Sequence, residues 1–193
     1  PSLPDIGLFG LTDQDGEYMF QAALPVTSNY TVTPTKDDNP MNGVSTFDLV
    51  LMSKHILGID PLNSPYKVIA ADVNKSNSVT TFDIVELRKL ILGIYSELPN
   101  NTSWRFIDTE FGFDDPNNPF VNAPFAENKT IANIQADQMH DDFVGIKIGD
   151  LNNSVIANAN SVAQDRSAGT LLLDTDDRDV KAGETFDVRF TAA

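Results

Sequence analysis

The sequence predicts an α+β fold: two loop–helix motifs at the centre, an irregular aromatic-rich extension behind them, and β-strands of sandwich modules at either end. Three observations carry this. Residues 42–59, NGVSTFDLVLMSKHILGI, return as residues 77–94, NSVTTFDIVELRKLILGI, at an offset of 35 with 11 of 18 residues identical. Residues 97–160 mix Pro, Asn and Asp turn signals with Trp104, Phe106, Phe111, Phe113, Phe120 and Phe125. Alternating apolar residues flank tight-turn residues near both ends, a hairpin signal. The chain therefore divides into segments 1–36, 37–96, 97–160 and 161–193.

In the first segment, Asp15-Gly16 marks a turn, with alternation through Tyr18, Phe20, Tyr30 and Val32. The repeat that follows is one supersecondary unit used twice. Each copy comes after a run of Asp and Asn and sets an Asp just inside an amphipathic stretch that closes on Leu-Gly. An oxygen-rich loop opening a helix is what a hard cation such as calcium requires, with ligands at loop positions 1, 3, 5, 7, 9 and 12.

The second copy fits that spacing directly. Asp72 is position 1, Asn74 position 3, Ser76 position 5, Ser78 position 7, Thr80 position 9 and Asp83 position 12. Position 7 uses its carbonyl. Asn77 at position 6 is suited to the left-handed turn required there. In the first copy Asp37, Asn39, Gly43, Ser45 and Asp48 occupy positions 1, 3, 7, 9 and 12. Position 5 falls on Met41, which offers no hard oxygen, and Pro40 restricts the loop. A backbone carbonyl, a water, Asn42 or Asp38 would have to take its place. Val44 and Val79 at position 8 are expected to turn inward and pair.

After each loop the spacing predicts a helix. Phe47, Val50, Leu51 and Leu57 mark its buried face in the first copy, as do Phe82, Val85, Leu90 and Ile91 in the second. Thr46 and Thr81 stand at the helix starts, Gly58 and Gly93 at left-handed C-caps, with Pro61 and Pro99 beyond. The aromatic residues of 97–160 supply enough area to dock on the helix pair. Asp150, Asn152 and Asn153 read as a third cation site or as an Asx turn, and the turn is the simpler account. Residues 170–193, TLLLDTDDRDVKAGETFDVRFTAA, read as two strands around Lys181-Ala182-Gly183-Glu184.

The run DVNKSNSVTTFD closing on LILGI resembles a type I dockerin repeat, and the 35-residue spacing is similar to a tandem dockerin pair. The resemblance covers about residues 37–96. It implies a calcium-dependent module of two loop–helix motifs that binds a cohesin domain, with the two loops above as ligands. Ser45-Thr46 and Thr80-Thr81 resemble the Ser-Thr pair through which dockerins read their partner. Residues 11–36 are similar to the last strands of immunoglobulin-like modules of the carboxypeptidase-regulatory or collagen-adhesin B type. The C-terminal strands resemble the opening of a cohesin-like β-sandwich. FVGIKIGDLN resembles a segment that follows dockerin-like repeats in secreted bacterial proteins.

Net charge is −15 and pI is near 4.2, which excludes nucleic acid and anionic membrane surfaces as partners. About two bound calcium ions would bring the charge to −11, by adding 4 to −15. There is no cysteine to staple the fold. With micromolar sites and millimolar calcium, mass action supplies about 4 kcal/mol per site. No apolar run is long enough to insert in a bilayer and no signal peptide is present, as expected of an internal piece of a long secreted or cell-surface chain.

Catalysis finds no footing. His55 and His140 are the only histidines, and no phosphate loop, nucleophile elbow or HExxH motif occurs. Pairs such as Asp108/Glu110 and Asp141/Asp142 are expected by number alone among 28 acidic residues. The sequence thus points to a non-catalytic, calcium-stabilised structural or adhesive module. Its orphan strands are the cut ends of a longer chain, or they complete the sheets of neighbouring β-sandwich modules or copies of itself in a fibre. An intramolecular spacer, its helix faces buried against residues 97–150 or neighbouring β-modules, is a further reading. A free dockerin that binds a cohesin is the alternative; it is less favoured than spacer or fibre because the aromatic extension needs a surface to cover.

Overall fold

A computed structural model describes residues 7–13, 15–20, 24–25, 28–136, 138 and 141–157. The chain divides into two units, Pro1–Ser161 and Val162–Ala193. The expected C-terminal sandwich strands and His140 lie outside the described residues.

The described elements run β1 (Tyr30–Val32), α1 (Thr46–Ile56), α2 (Pro65–Ala71), α3 (Thr81–Ile91), β2 (Trp104–Asp108), a 3-10 turn (Pro119–Asn122), β3 (Lys129–Ile131) and β4 (Phe143–Lys147). Both repeat helices begin on a capping box. Ser45 and Asp48 form it in α1, Thr80 and Asp83 in α3, so two otherwise unpaired amides are satisfied at each start. Both end on a Schellman motif. Ile59 N–H donates to Lys54 O and Ile94 N–H to Lys89 O, each at 2.9 Å, across Gly58 and Gly93 at φ +66° and +69°.

Between the repeats lies α2, an element the sequence pattern does not predict. Ser64 is its N-cap residue and Pro65 stands in its first turn, where a missing N–H costs nothing. Val68, Ile69, Ala70 and Ala71 are all buried, so α2 is the hydrophobic centre of the unit. Met52 of α1 and Leu87 and Leu90 of α3 share its core, with Ile107, Phe125, Ile146, Ile148 and Leu151 from the extension.

The extension is more regular than expected. β2 and β4 pair antiparallel from Trp104↔Lys147 to Asp108↔Phe143. β1 pairs with β3, Tyr30↔Ile131 to Val32↔Lys129. Lys129 fastens this pair to its neighbours through Glu110 at 2.8 Å, Asp141 at 3.3 Å and Asp108 at 3.6 Å. The D-G turn forms as predicted, Asp13 N–H donating to Glu17 O at 2.9 Å. The aromatic residues of the extension pack against the shared core, Phe125 within the same cluster as Met52, Leu87 and Leu90. Phe113 meets Tyr66 of α2 edge-on at 5.6 Å, and Phe111 and Phe125 pack around Phe113.

One expectation is overturned. Phe47, Val50 and Leu57 of the first repeat, and Phe82 and Val85 of the second, are exposed rather than buried. The reason lies in the loop. Position 12 must point its carboxylate inward, and Asp48 and Asp83 are fully buried. A residue one step earlier on a helix is turned roughly 100° away, so Phe47 and Phe82 face outward.

Candidate metal centre and exposed helix faces

In the second loop, α2 delivers Asp72 as its C-cap and α3 delivers Asp83 in its first turn. Asp72 Oδ1 accepts from Ser76 N–H at 2.8 Å and Oδ2 from Asn77 N–H at 2.9 Å. Lys75 and Asn77 make that wrap possible at φ +57° and +61°. Asn74 Oδ1 accepts from Ser76 N–H at 3.0 Å, and Ser76 Oγ donates to Ser78 O at 3.3 Å. Asp83 Oδ2 accepts from Thr80 N–H at 2.8 Å and its hydroxyl at 3.1 Å, while Oδ1 accepts from Asn74 N–H at 3.2 Å. All six expected residues of this loop thus belong to one hydrogen-bonded ring.

Capping alone accounts for Thr80 and Asp83. It does not account for Asp72. Burial pushes the Asp72 carboxyl up, the Ser76 and Asn77 amides pull it back, and Asp83 raises it further. Two buried carboxylates on one loop call for a countercharge, since an uncompensated buried charge costs several kcal/mol. Among the described residues, no three His, Cys, Asp or Glu side chains gather as a metal-binding group. The second loop offers two carboxylates completed by amide, hydroxyl and carbonyl oxygens. That all-oxygen set suits calcium and lacks the nitrogen or sulfur that zinc selects. Asn101, which the sequence reading did not single out, steadies the loop from outside by donating to Asp72 O at 3.1 Å.

The first loop is arranged differently. Gly43, Ser45 and Asp48 come together, with Ser45 N–H and hydroxyl on Asp48 Oδ2 at 2.8 and 2.9 Å. Asp37 instead accepts from Ser103 N–H at 2.7 Å, at the entrance to β2. Asn39 sits in a left-handed turn at φ +44°, its carbonyl accepting from Asn42 N–H. Lys147 lays its ammonium on Pro40 O at 2.8 Å. Burial lowers the Lys147 pKa to about 8, with Asp150, Asp38 and Asp37 opposing. Position 8 packs inward in both loops, Val44 fully buried and Val79 half-buried against the core.

Asp150 makes the Asx turn expected of it, Oδ1 accepting from Asn152 N–H at 3.1 Å. His55 has a structural place: its Nδ1 accepts from Leu62 N–H at 3.2 Å, pinning the link from α1 to α2.

The outer faces of α1 and α3 form a duplicated apolar stripe. Phe47 and Val50 of α1, with Leu57 and Ile59 at and past its C-cap, are matched by Phe82 and Val85 of α3, with Leu92 and Ile94 at and past its C-cap. Phe47 and Phe82 are 55% and 72% exposed, Leu57 and Leu92 70% and 66%. Thr46 and Thr81 are exposed beside them. Burying such residues drives association, so their exposure on matching positions marks a contact surface.

No described helix is long and apolar enough to cross a membrane. No curated protein and no solved structure matches the chain. Residues 37–92, which hold α1, α2 and α3, match the family model of the dockerin type I domain, and this part of the chain is thereby supported as a dockerin domain.

Proposed function

We propose that residues 37–96 act as a calcium-stabilised, non-catalytic docking module of an extracellular or cell-surface protein, and that a cohesin-type β-sandwich seats on the exposed faces of α1 and α3. Dockerin domains bind calcium and cohesins and occur in extracellular and cell-surface proteins, which supports the reading. The observation that carries it is the duplicated stripe of Phe47/Phe82, Val50/Val85 and Leu57/Leu92. An intramolecular spacer would bury those faces against the extension or against neighbouring β-modules. Within the described residues the extension leaves Phe47, Val50, Phe82 and Val85 exposed, which supports docking over a spacer closed by the extension. Of the strands on which a fibre would depend, the C-terminal ones lie outside the described residues and Tyr30–Val32 pairs with β3 of the same chain, so self-assembly enters as an outcome of the test.

The test is calorimetric titration of the chain against a panel of cohesin domains, in millimolar calcium and in chelator, with light scattering of the chain alone. Variants carry Phe47→Ala with Val50→Ala, Phe82→Ala with Val85→Ala, or all four. Because the sites are exposed, melting temperature should hardly move, each surface change lying within about 0.5 kcal/mol. Calcium-dependent binding that weakens with either pair and vanishes with all four is the expected result. Unchanged binding by the fourfold variant would overturn the proposal, as would calcium-dependent growth in mass with no cohesin bound.

A further inference from the structure

We propose that the first calcium site is split along the chain, with Asp150, Asn152 and Ser154 supplying positions 1, 3 and 5, and Gly43, Ser45 and Asp48 supplying positions 7, 9 and 12. The inference rests on the calcium reading of the repeats and changes which residues build one of the two sites. It begins with a misfit. The contiguous loop puts Met41 at position 5, ties the Asp37 carboxylate to Ser103 N–H, and carries the Lys147 ammonium on Pro40 O.

Residues 150–155 repeat the sequence pattern of the second loop's first half and three of its side-chain bonds. Asp150-Leu151-Asn152-Asn153-Ser154 parallels Asp72-Val73-Asn74-Lys75-Ser76: an Asp, an apolar residue, Asn, a left-handed residue, Ser. Asn153 and Lys75 have φ +59° and +57°. Asp150 Oδ1 accepts from Ser154 N–H at 3.2 Å and Oδ2 from Val155 N–H at 2.8 Å, as Asp72 accepts from Ser76 and Asn77. Asn152 Oδ1 accepts from Ser154 N–H at 2.9 Å, as Asn74 does from Ser76 at 3.0 Å.

The two halves then join where the second loop is continuous. Ser154 Oγ donates to Gly43 O at 2.8 Å, the counterpart of Ser76 Oγ on Ser78 O. Leu151 N–H donates to Asp48 Oδ1 at 2.9 Å; in the second loop the position-12 carboxylate takes its amide one residue later, from Asn74. The segments leading into the two position-1 residues run side by side, with Gly149 N–H on Ala70 O at 2.9 Å. Both carboxylates of the split site, Asp48 and Asp150, are buried. The donor set is that of the second loop: two carboxylates, an amide oxygen, two hydroxyls and a carbonyl.

Calcium titration of the whole chain by calorimetry, with terbium luminescence as a second count of sites, tests this. The wild type should take two ions. Asp72→Asn and Asp150→Asn should each leave one, and Asp37→Asn should leave two. Melting in chelator checks that each variant still folds. Ser154→Ala, which keeps the Asp150 carboxylate and its bonds, should weaken one site about tenfold, the effect of roughly one lost ligand. Retention of two ions by Asp150→Asn, with one lost in Asp37→Asn, would overturn the split site and leave the calcium reading standing. A wild type that takes no calcium would sink both.

Discussion

Replacing Gly43 with alanine should cost far more than its size suggests. Gly43 sits at φ +78°, where an L-residue loses about 1 kcal/mol. A Cβ there would stand 2.7 Å from both the N and the Cα of Val155. Backbone atoms cannot swing aside as a side-chain tip can, so the 150–156 strap must lift. Lifting it gives up the Ser154 hydroxyl on Gly43 O at 2.8 Å and both arms of the Asn42 amide on Ile156, at 2.8 and 3.2 Å. At about 1 kcal/mol net for each bond, the total comes to about 3–4 kcal/mol. Gly58→Ala and Gly93→Ala are the controls. They share the positive φ, at +66° and +69°, with nothing within 4 Å of the added carbon, so each should cost about 1 kcal/mol. Urea unfolding in chelator measures all three without a cation's contribution. A Gly43→Ala cost no larger than the controls would refute the close approach of strap and loop.

Buried Lys147 and half-buried His55 set the pH response. Lys147 has a folded pKa of about 8 against 10.5 unfolded, so below pH 8 both states carry the proton and the folded state bears the full desolvation penalty. Between pH 8 and 10.5 the folded state sheds it first, and stability should rise with pH by up to about 3 kcal/mol. Urea midpoints between pH 7.5 and 9.5 check this, and Lys147→Met should flatten the slope; a flat wild-type profile would contradict the burial argument. His55 works on the acid side. Burial lowers its pKa below 6.5, and its Nδ1 must stay unprotonated to accept from Leu62 N–H. Its contribution is therefore complete above pH 6.5 and is lost as pH falls through the folded value, a loss that His55→Gln should remove from the melting profile.

What the sequence made legible was local. The 35-residue repeat fixed α1 and α3. Chain-neighbour chemistry identified the left-handed Asn77 and the C-caps at Gly58 and Gly93. The second loop closes within twelve residues, and all its expected members meet. What escaped was decided at a distance. α2 is too short, at seven residues, to show a helical period, and Pro65 disguises its start. The apolar stripes at Phe47 and Phe82 have helical spacing whether they face core or solvent. Only the inward demand of Asp48 and Asp83 settles which way they turn. The pairing of Trp104 with Lys147 spans a long stretch of turns that periodicity cannot bridge. Asp150 looked like an isolated turn because its neighbours in space, Gly43 and Asp48, lie about a hundred residues earlier.

That distance matters to anyone wishing to graft the docking helices onto another protein. The matching stretch ends at Leu92, and a border drawn there looks natural. It would strip Ile107, Ile146, Ile148 and Leu151 from the core around Met52, Leu87 and Leu90. It would also take the Leu151 amide from Asp48, leaving a buried carboxylate short of a donor. The portable part is the whole of 28–157, with the recognisable repeats as its visible face and the flanking strands as its frame. Transplants trimmed to the repeats would carry the right surface on a body unable to hold it.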